Sequence, residues 1–171
     1  MRLYVITGGP CAGKTTLLQE LERRKFLIVA EAAKDVILEE QGKGVAEPWL
    51  DKNFQAKISE LQMKKEADLP SGNGIVFLDR GVPDGLAYCR FRNQKIPSSL
   101  SLAMGKCDYE KVFFLEMLAA YEKTSFRAEN KGDAKRIAAV IKKTYEGLGF
   151  DVISVPPLEL AKRADFVIQH L

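Results

Sequence analysis

The sequence predicts an α/β protein, a parallel sheet with helices on both faces. Three observations carry that expectation. Strand-sized apolar runs alternate with helical patterns along the chain. A glycine-rich turn, GGPCAGKTT from Gly8, follows the first run directly. Acids stand at the carboxyl ends of the second and third runs, Glu31 and Asp79, the end of an open α/β sheet where ligands bind.

The first strand is expected over residues 3–7 (LYVIT), and the helix KTTLLQELERR follows over 14–24. A second strand over 26–30 leads into helical segments at 32–41 and 50–69. A third strand at 75–78 precedes a helix over 84–91. A fourth at 112–115 precedes the clearest helix, 133–148, and the fifth is Val152–Val155. The runs are rich in Val, Ile, Phe and Leu, as in strands covered on both faces. In the 133–148 helix, Ile137, Val140, Ile141, Thr144, Tyr145 and Leu148 keep the i, i+3, i+4, i+7 rule. Gly147 and Gly149 mark its end. A last helix is expected after Pro156-Pro157, with proline in its first turn. QGKGVAEPW (41–49) and LPSGNG (69–74) read as breaker-rich connections within one domain over 1–171.

Composition narrows the function classes. The chain has 171 residues, 46% hydrophobic and 29% charged, with a net charge of +3. That mild positive charge suits an anionic small-molecule ligand. No long basic run or basic–aromatic stripe favours nucleic acid. The longest apolar stretches are strand-sized, which argues against a membrane span. The first strand begins at once, which argues against a signal peptide. Cys11, Cys89 and Cys107 are scattered with no CxxC pair, so the expectation is a reducing cytoplasm without a disulfide framework or zinc site. The one histidine, His170, reads as solvated.

Gly8, Gly13, Lys14 and Thr15 complete the pattern G-x-x-x-x-G-K-[ST]. Its spacing has a physical purpose. Glycines let backbone N–H groups turn inward around phosphate oxygens, and the helix behind presents its positive N-terminal end. The cradle comprises Gly8, Gly9, Pro10, Cys11, Ala12, Gly13, Lys14, Thr15 and Thr16. Lys14 is expected to neutralise β- and γ-phosphates, and the Thr15 hydroxyl to coordinate Mg2+. Cys11 reads as a tolerated small loop residue.

Asp79 ends the run IVFLDRG and is the expected magnesium-side acid, directly or through water; otherwise it caps the turn that follows. Arg80 either grips a phosphate or forms a surface ion pair. Glu31 stands at the equivalent end of the second strand. It reads as the carboxylate that takes a hydroxyl proton during phosphoryl transfer to an alcohol, or as a first-turn acid favoured by the helix dipole. Arg127, in the charged stretch SFRAENKGD, is a candidate for closing over the nucleotide, with a solvated loop arginine as the other reading. NKGD within that stretch matches a guanine-reading signature, but no buried strand precedes it. It is better read as a turn with an acid cap.

GGPCAGKTTLLQELERRKFLIVAEAAKDVI, FLDRGVPDGLAYCRF and RAENKGDAKRIAAVIKKTYEGLGFDVISVP together resemble the AAA-type P-loop family of predicted ATPases and kinases. That family is similar to the nicotinamide-riboside kinase domain of the bacterial NAD-metabolism regulator. The resemblance implies a three-layer P-loop NTPase fold of nucleotide-kinase type, sheet order 2-3-1-4-5, with a small lid at about 118–132. On this match Glu31 is the acid after strand two. Asp79, Arg80 and Asp84 are the D-R-G-x-x-D pattern, and Arg127 with Glu129 the R-x-E. Thr124 stands where relatives often carry an acid, and Lys34 where arginine is common.

The reading that follows is an ATP- and Mg2+-dependent kinase for a small hydroxylated metabolite, such as a nucleoside or nucleotide. GTP is the other candidate donor. Lys14, Glu31, Asp79 and Arg127 carry the chemistry, and Thr15 with Asp79 the metal. The acceptor pocket is expected between the second and third strand ends, with Trp49, Phe54, Tyr88 and Arg92 as candidate lining residues. The alternative is a regulatory NTPase, an ATP or GTP switch acting through a partner.

Overall fold

The computed structural model describes residues 1–118 and 131–171. Five strands, β1 (Arg2–Gly8), β2 (Leu27–Val29), β3 (Ile75–Asp79), β4 (Lys111–Leu115) and β5 (Val152–Val155), pair in parallel in the order β2-β3-β1-β4-β5. The sheet is thus of the expected class and order. Register aligns the functional strand ends: Ile6 lies opposite Asp79, and Gly8 opposite Leu115.

Strand period divides the core into two layers. Tyr4 and Ile6 face one side with Phe77 and Phe113, against Leu17, Leu18 and Leu21 of α1 (Lys14–Arg23) and Ala164 and Val167 of α7 (Leu160–Gln169). Their rings pack closely, Tyr4 lying 5.8 Å from Phe77 between centroids. Val5, Val76, Leu78, Val112 and Phe114 face the other side. There they meet Ala87 of α4 (Val82–Phe91) and Ile137, Ala138, Ile141 and Tyr145 of α6 (Lys131–Gly147). Central positions such as Val5, Ile6, Val76 and Phe77 are fully buried, as expected where helices cover both faces.

Several boundaries differ from the sequence expectation for local reasons. The segment expected as one helix over 50–69 is a 3-10 helix, Pro48–Leu50, followed by α3, Phe54–Ala67. Asp51 separates them, its carboxylate accepting the Asn53 N–H at 2.9 Å, a turn that competes with helix. Helix α4 starts two residues early because Asp84, at its third position, accepts the Gly81 N–H at 3.2 Å. Pro156 and Pro157 lie ahead of α7 instead of in its first turn; Glu159 is the N-cap. His170 is half-buried, stacked on Phe166 at 4.2 Å and bonded to the Phe166 carbonyl at 2.7 Å, so it is not the solvated residue expected. Helix α2 is Ala32–Gly42, and a further helix, α5 (Ser98–Met104), has no counterpart in the sequence reading.

Among the described residues no helix is long and apolar enough to cross a membrane. The lid expected at 118–132 falls almost wholly on 119–130. Thr124, Arg127 and Glu129 therefore lie outside the described residues.

Candidate active site

The glycine-rich turn leaves β1 and enters α1 as a tight loop whose glycines are required by contacts. Gly8 has φ +143°, and a Cβ there would lie 2.7 Å from the Leu115 carbonyl oxygen. At Gly9 a Cβ would meet Ala138 Cβ at 2.9 Å. Gly13 is the N-cap of α1 at φ +80°, where L side chains are strained. Cys11 adopts φ +58°, a conformation uncommon for residues other than glycine. The buried Lys14 ammonium turns back over the loop, donating to the Gly9 carbonyl at 2.8 Å and the Gly8 carbonyl at 3.1 Å. Pro10 and Ala12 are buried, whereas Thr15 and Thr16 are exposed. Loop curvature and the α1 N-terminus together make an anion cradle.

Beside that cradle, Arg80 follows Asp79 at the end of β3 with φ +70°. Its guanidinium is half-buried and forms ion pairs with two acids. Nε donates to Glu31 Oε1 at 2.8 Å, and Nη1 donates to Asp84 Oδ1 at 2.7 Å and to the Gly8 carbonyl at 3.4 Å. Arg80 is thus a half-buried brace linking the end of β2, the start of α4 and the loop. Asp84 completes the brace by accepting from the Thr7 hydroxyl and the Tyr145 hydroxyl, each at 2.7 Å.

The two acids on the strand ends have opposite electrostatic fates. Glu31 is the N-cap residue of α2 but makes no side-chain capping bond. Burial alone would raise its pKa. Arg80, Lys14 and Lys34 outweigh burial and hold its carboxyl below the usual glutamate range. Asp79 is pushed above the usual aspartate range, first by burial and then by the Glu31 charge. Its Oδ1 is buried with no hydrogen-bond partner among the described residues, and the turn that follows is capped by Asp84.

That orphaned oxygen is the observation that tests a magnesium site. A hard cation takes oxygen ligands, and an unbonded carboxylate oxygen near the Thr15–Lys14 loop fits one. Lys34 Nζ reaches both Thr15 Oγ1, at 3.4 Å, and Glu31 Oε2, at 3.6 Å, so the hydroxyl and the carboxylate share one neighbour. Among the described residues no three His, Cys, Asp or Glu side chains form a metal-binding group. Any metal here would therefore draw on Thr15, Asp79 and phosphate oxygens.

A cavity of about 480 Å³ runs from Pro10, Glu31 and Asp79 outward between α2, α3 and α4. Trp49, Phe54, Tyr88 and Arg92 all line it. Tyr88 has two guanidiniums near its ring, Arg80 at 5.6 Å and Arg92 at 5.9 Å from the centroid. Arg92 also donates to the Trp49 carbonyl at 3.1 Å.

The model of the AAA domain family matches residues 3–163. The chain belongs to that family. Solved structures of P-loop kinases share its fold. NadR protein in complex with NR superposes with a TM-score of 0.75 at 17% identity, covering 98% of this chain and 51% of that one. A deoxyadenosine kinase from M. mycoides gives 0.70 at 12% identity, with 98% and 97% covered. Thymidylate kinase from Ehrlichia chaffeensis gives 0.72 at 12%, with 99% and 97% covered. The chain spans about half the length of the NadR chains. No curated protein sequence matches it.

Within this AAA domain three features escape sequence reading. Gln55, Ser59 and Gln62 form a buried polar stripe on the α3 face that lines the cavity. Their i, i+4, i+7 spacing was a readable signal, since that face is normally apolar. Gln62 donates to Glu66 at 2.8 Å and Ser59 to the Ala56 carbonyl at 2.9 Å. The Gln55 amide makes no hydrogen bond with a described residue. Second, Tyr109 ties two cavity walls together, donating to Glu66 of α3 at 3.0 Å and accepting the Val82 N–H of α4 at 3.2 Å. Third, Arg163 of α7 donates to the Ala12 carbonyl at 2.9 Å from behind the loop.

Proposed function

We propose that the protein is an ATP- and Mg2+-dependent phosphotransferase whose acceptor is the hydroxyl of a small metabolite, of nucleoside size. One observation carries the reading. The base candidate Glu31 and the orphaned carboxylate of Asp79 stand together where an apolar, aromatic-walled cavity meets the phosphate loop.

In this reading Lys14 and the loop amides hold the β- and γ-phosphates of the nucleotide. The acceptor hydroxyl lies against Glu31. Its ionised carboxylate takes the hydroxyl proton as the new oxygen–phosphorus bond forms. The bond from the γ-phosphorus to the β–γ bridging oxygen breaks, and its electron pair leaves with ADP. Thr15 and Asp79 would hold Mg2+, which supplies charge neutralisation on the phosphates. Arg80 keeps Glu31 aimed and ionised. Glu31, Asp79 and Asp84 all line the cavity. Lys34, Arg80 and Arg92 line it as well, so its charge is balanced and suits a nucleoside or a nucleotide acceptor.

The test is a phosphorus-NMR or mass-spectrometric screen of ATP and Mg2+ with pooled nucleosides, nucleotides and vitamins. A new phosphorylated product, absent with Lys14→Ala, is the expected result. Tight ATP binding with only slow phosphate release across the pool overturns the kinase reading in favour of a nucleotide-dependent switch.

A further inference from the structure

Arg163 occupies an unusual position for a cation. It lies on the buried stripe of α7 with Ala164 and Val167, where the helix period calls for an apolar side chain, and it is 2% exposed. Nη2 donates to the Ala12 carbonyl at 2.9 Å, and Nη1 would lie 2.9 Å from a Cβ on Gly13. Nε is buried with no hydrogen-bond partner among the described residues. Among the described residues no carboxylate pairs with it, whereas the other deeply set guanidinium, Arg80, is answered by Glu31 and Asp84. Leu118 closes over the same glycine.

A buried charge without a counter-ion destabilises a fold, and an apolar residue of similar volume would serve the packing better. The guanidinium also lies against the glycine-rich loop, whose geometry suits anions, beside the N-terminus of α1 and its Lys14. We propose that Arg163 is a nucleotide-binding determinant, a fixed cation behind the phosphate loop whose counter-charge is the bound polyphosphate. It acts through the Ala12–Gly13 backbone and its field, so it is a positioning residue with no direct part in the transfer step. Because the peptide is trans, holding the Ala12 carbonyl at Nη2 turns the Gly13 N–H to the opposite side, and the positive charge adds to that of Lys14. The inference rests on the proposed occupancy of the loop by a nucleotide, but not on the presence of an acceptor.

The experiment compares wild type with Arg163→Lys, which keeps the charge, and Arg163→Gln, which keeps a donor for Ala12 without the charge. Calorimetric titration with ATP and with inorganic triphosphate gives affinity, and melting without ligand gives stability. The expected result is a loss of about 10- to 100-fold in affinity for both probes in Arg163→Gln, with a ligand-free Tm equal to or above wild type. Arg163→Lys should stay within about 3-fold of wild type. Full affinity in Arg163→Gln, or a Tm that falls in both variants, assigns Arg163 to structure and overturns the proposal. Wild-type protein that binds neither probe overturns this inference and the kinase reading together. Charge-dependent ATP binding with no phosphorylated acceptor removes the kinase alone.

Discussion

Arg80 Nε lies 2.8 Å from Glu31 Oε1, and the pair joins the ends of β3 and β2 at the mouth of the cavity. The same guanidinium reaches Asp84 on α4 at 2.7 Å. One side chain thereby fixes the proposed base with respect to both the sheet and the loop, and supplies the positive charge that keeps it ionised.

Arg80→Lys should therefore act through Glu31. Lysine lacks the planar fork needed to hold Glu31 and Asp84 together. Turnover should fall by about 10²-fold with the KM for ATP nearly unchanged. The acid limb of the pH–rate profile should move upward as Glu31 loses the guanidinium hydrogen bond that helps hold its carboxyl low. An unshifted limb would separate Arg80 from the base.

Glu31→Gln should lower phosphotransfer by about 10²- to 10⁴-fold while ATP binding, read by titration calorimetry, persists. Its depressed ionisation also sets a sign for stability. The folded pKa is below the unfolded one, so the contribution is present above the ordinary glutamate range and is lost as pH falls through the lower, folded value. The variant should therefore flatten the acid side of a Tm-versus-pH curve.

Asp79 carries the opposite sign. Burial and the Glu31 charge raise its pKa, so the folded state binds that proton more tightly than the unfolded chain. Its carboxylate costs stability once pH rises past the ordinary aspartate range. Asp79→Asn should raise the ligand-free Tm at neutral pH by ~2–4 °C, the effect of about 1 kcal/mol in a chain of this size. Mg2+-dependent turnover should be lost. A lowered Tm in the melting curve would contradict the electrostatic account.

Tyr145→Phe removes one of the donors that satisfy the buried Asp84 carboxylate. The expected cost is about 1–3 kcal/mol, measured as a lower urea midpoint with an unchanged slope. A smaller change would mean that Thr7, Gly81 and Arg80 suffice.

Gln55→Leu bears on the acceptor. Its side chain lines the cavity and its amide bonds no described residue, so polar ligand atoms would pair with it. Once the acceptor is identified, its KM should rise about 10-fold or more while the KM for ATP holds. Equal shifts in both would place Gln55 outside the acceptor site.

The sheet was legible because its information is local. The β5 bounds match as read, and β3 and β4 differ by one residue. The loop could be read from glycine spacing alone, although the atoms that crowd Gly8 and Gly9, in Leu115 and Ala138, lie far along the chain. Arg80 could not be read this way. Its partners Glu31 and Gly8 lie 49 and 72 residues away, and nothing beside it distinguishes a half-buried brace from a surface ion pair. Arg163 is the extreme case, bonded across 151 residues. Helix α5 escaped because SSLSLAM shows only a short, weakly patterned apolar face. The polar stripe of α3 was overlooked because hydrophobic periodicity searches for apolar faces, and a ligand cavity inverts that rule.

The division of labour between strand ends and α3 bears on how such a protein changes over time. Glu31, Asp79 and Arg80 sit on or beside the sheet, locked by register and by the Asp84 network. Gln55, Ser59 and Gln62 sit on one helix, tied to its neighbour through Glu66 and Tyr109. In the proposed kinase, substitutions confined to that helix would trade one acceptor for another without moving the proposed reacting groups. Drift in substrate choice therefore needs few steps, whereas drift in chemistry would require rebuilding the sheet edge.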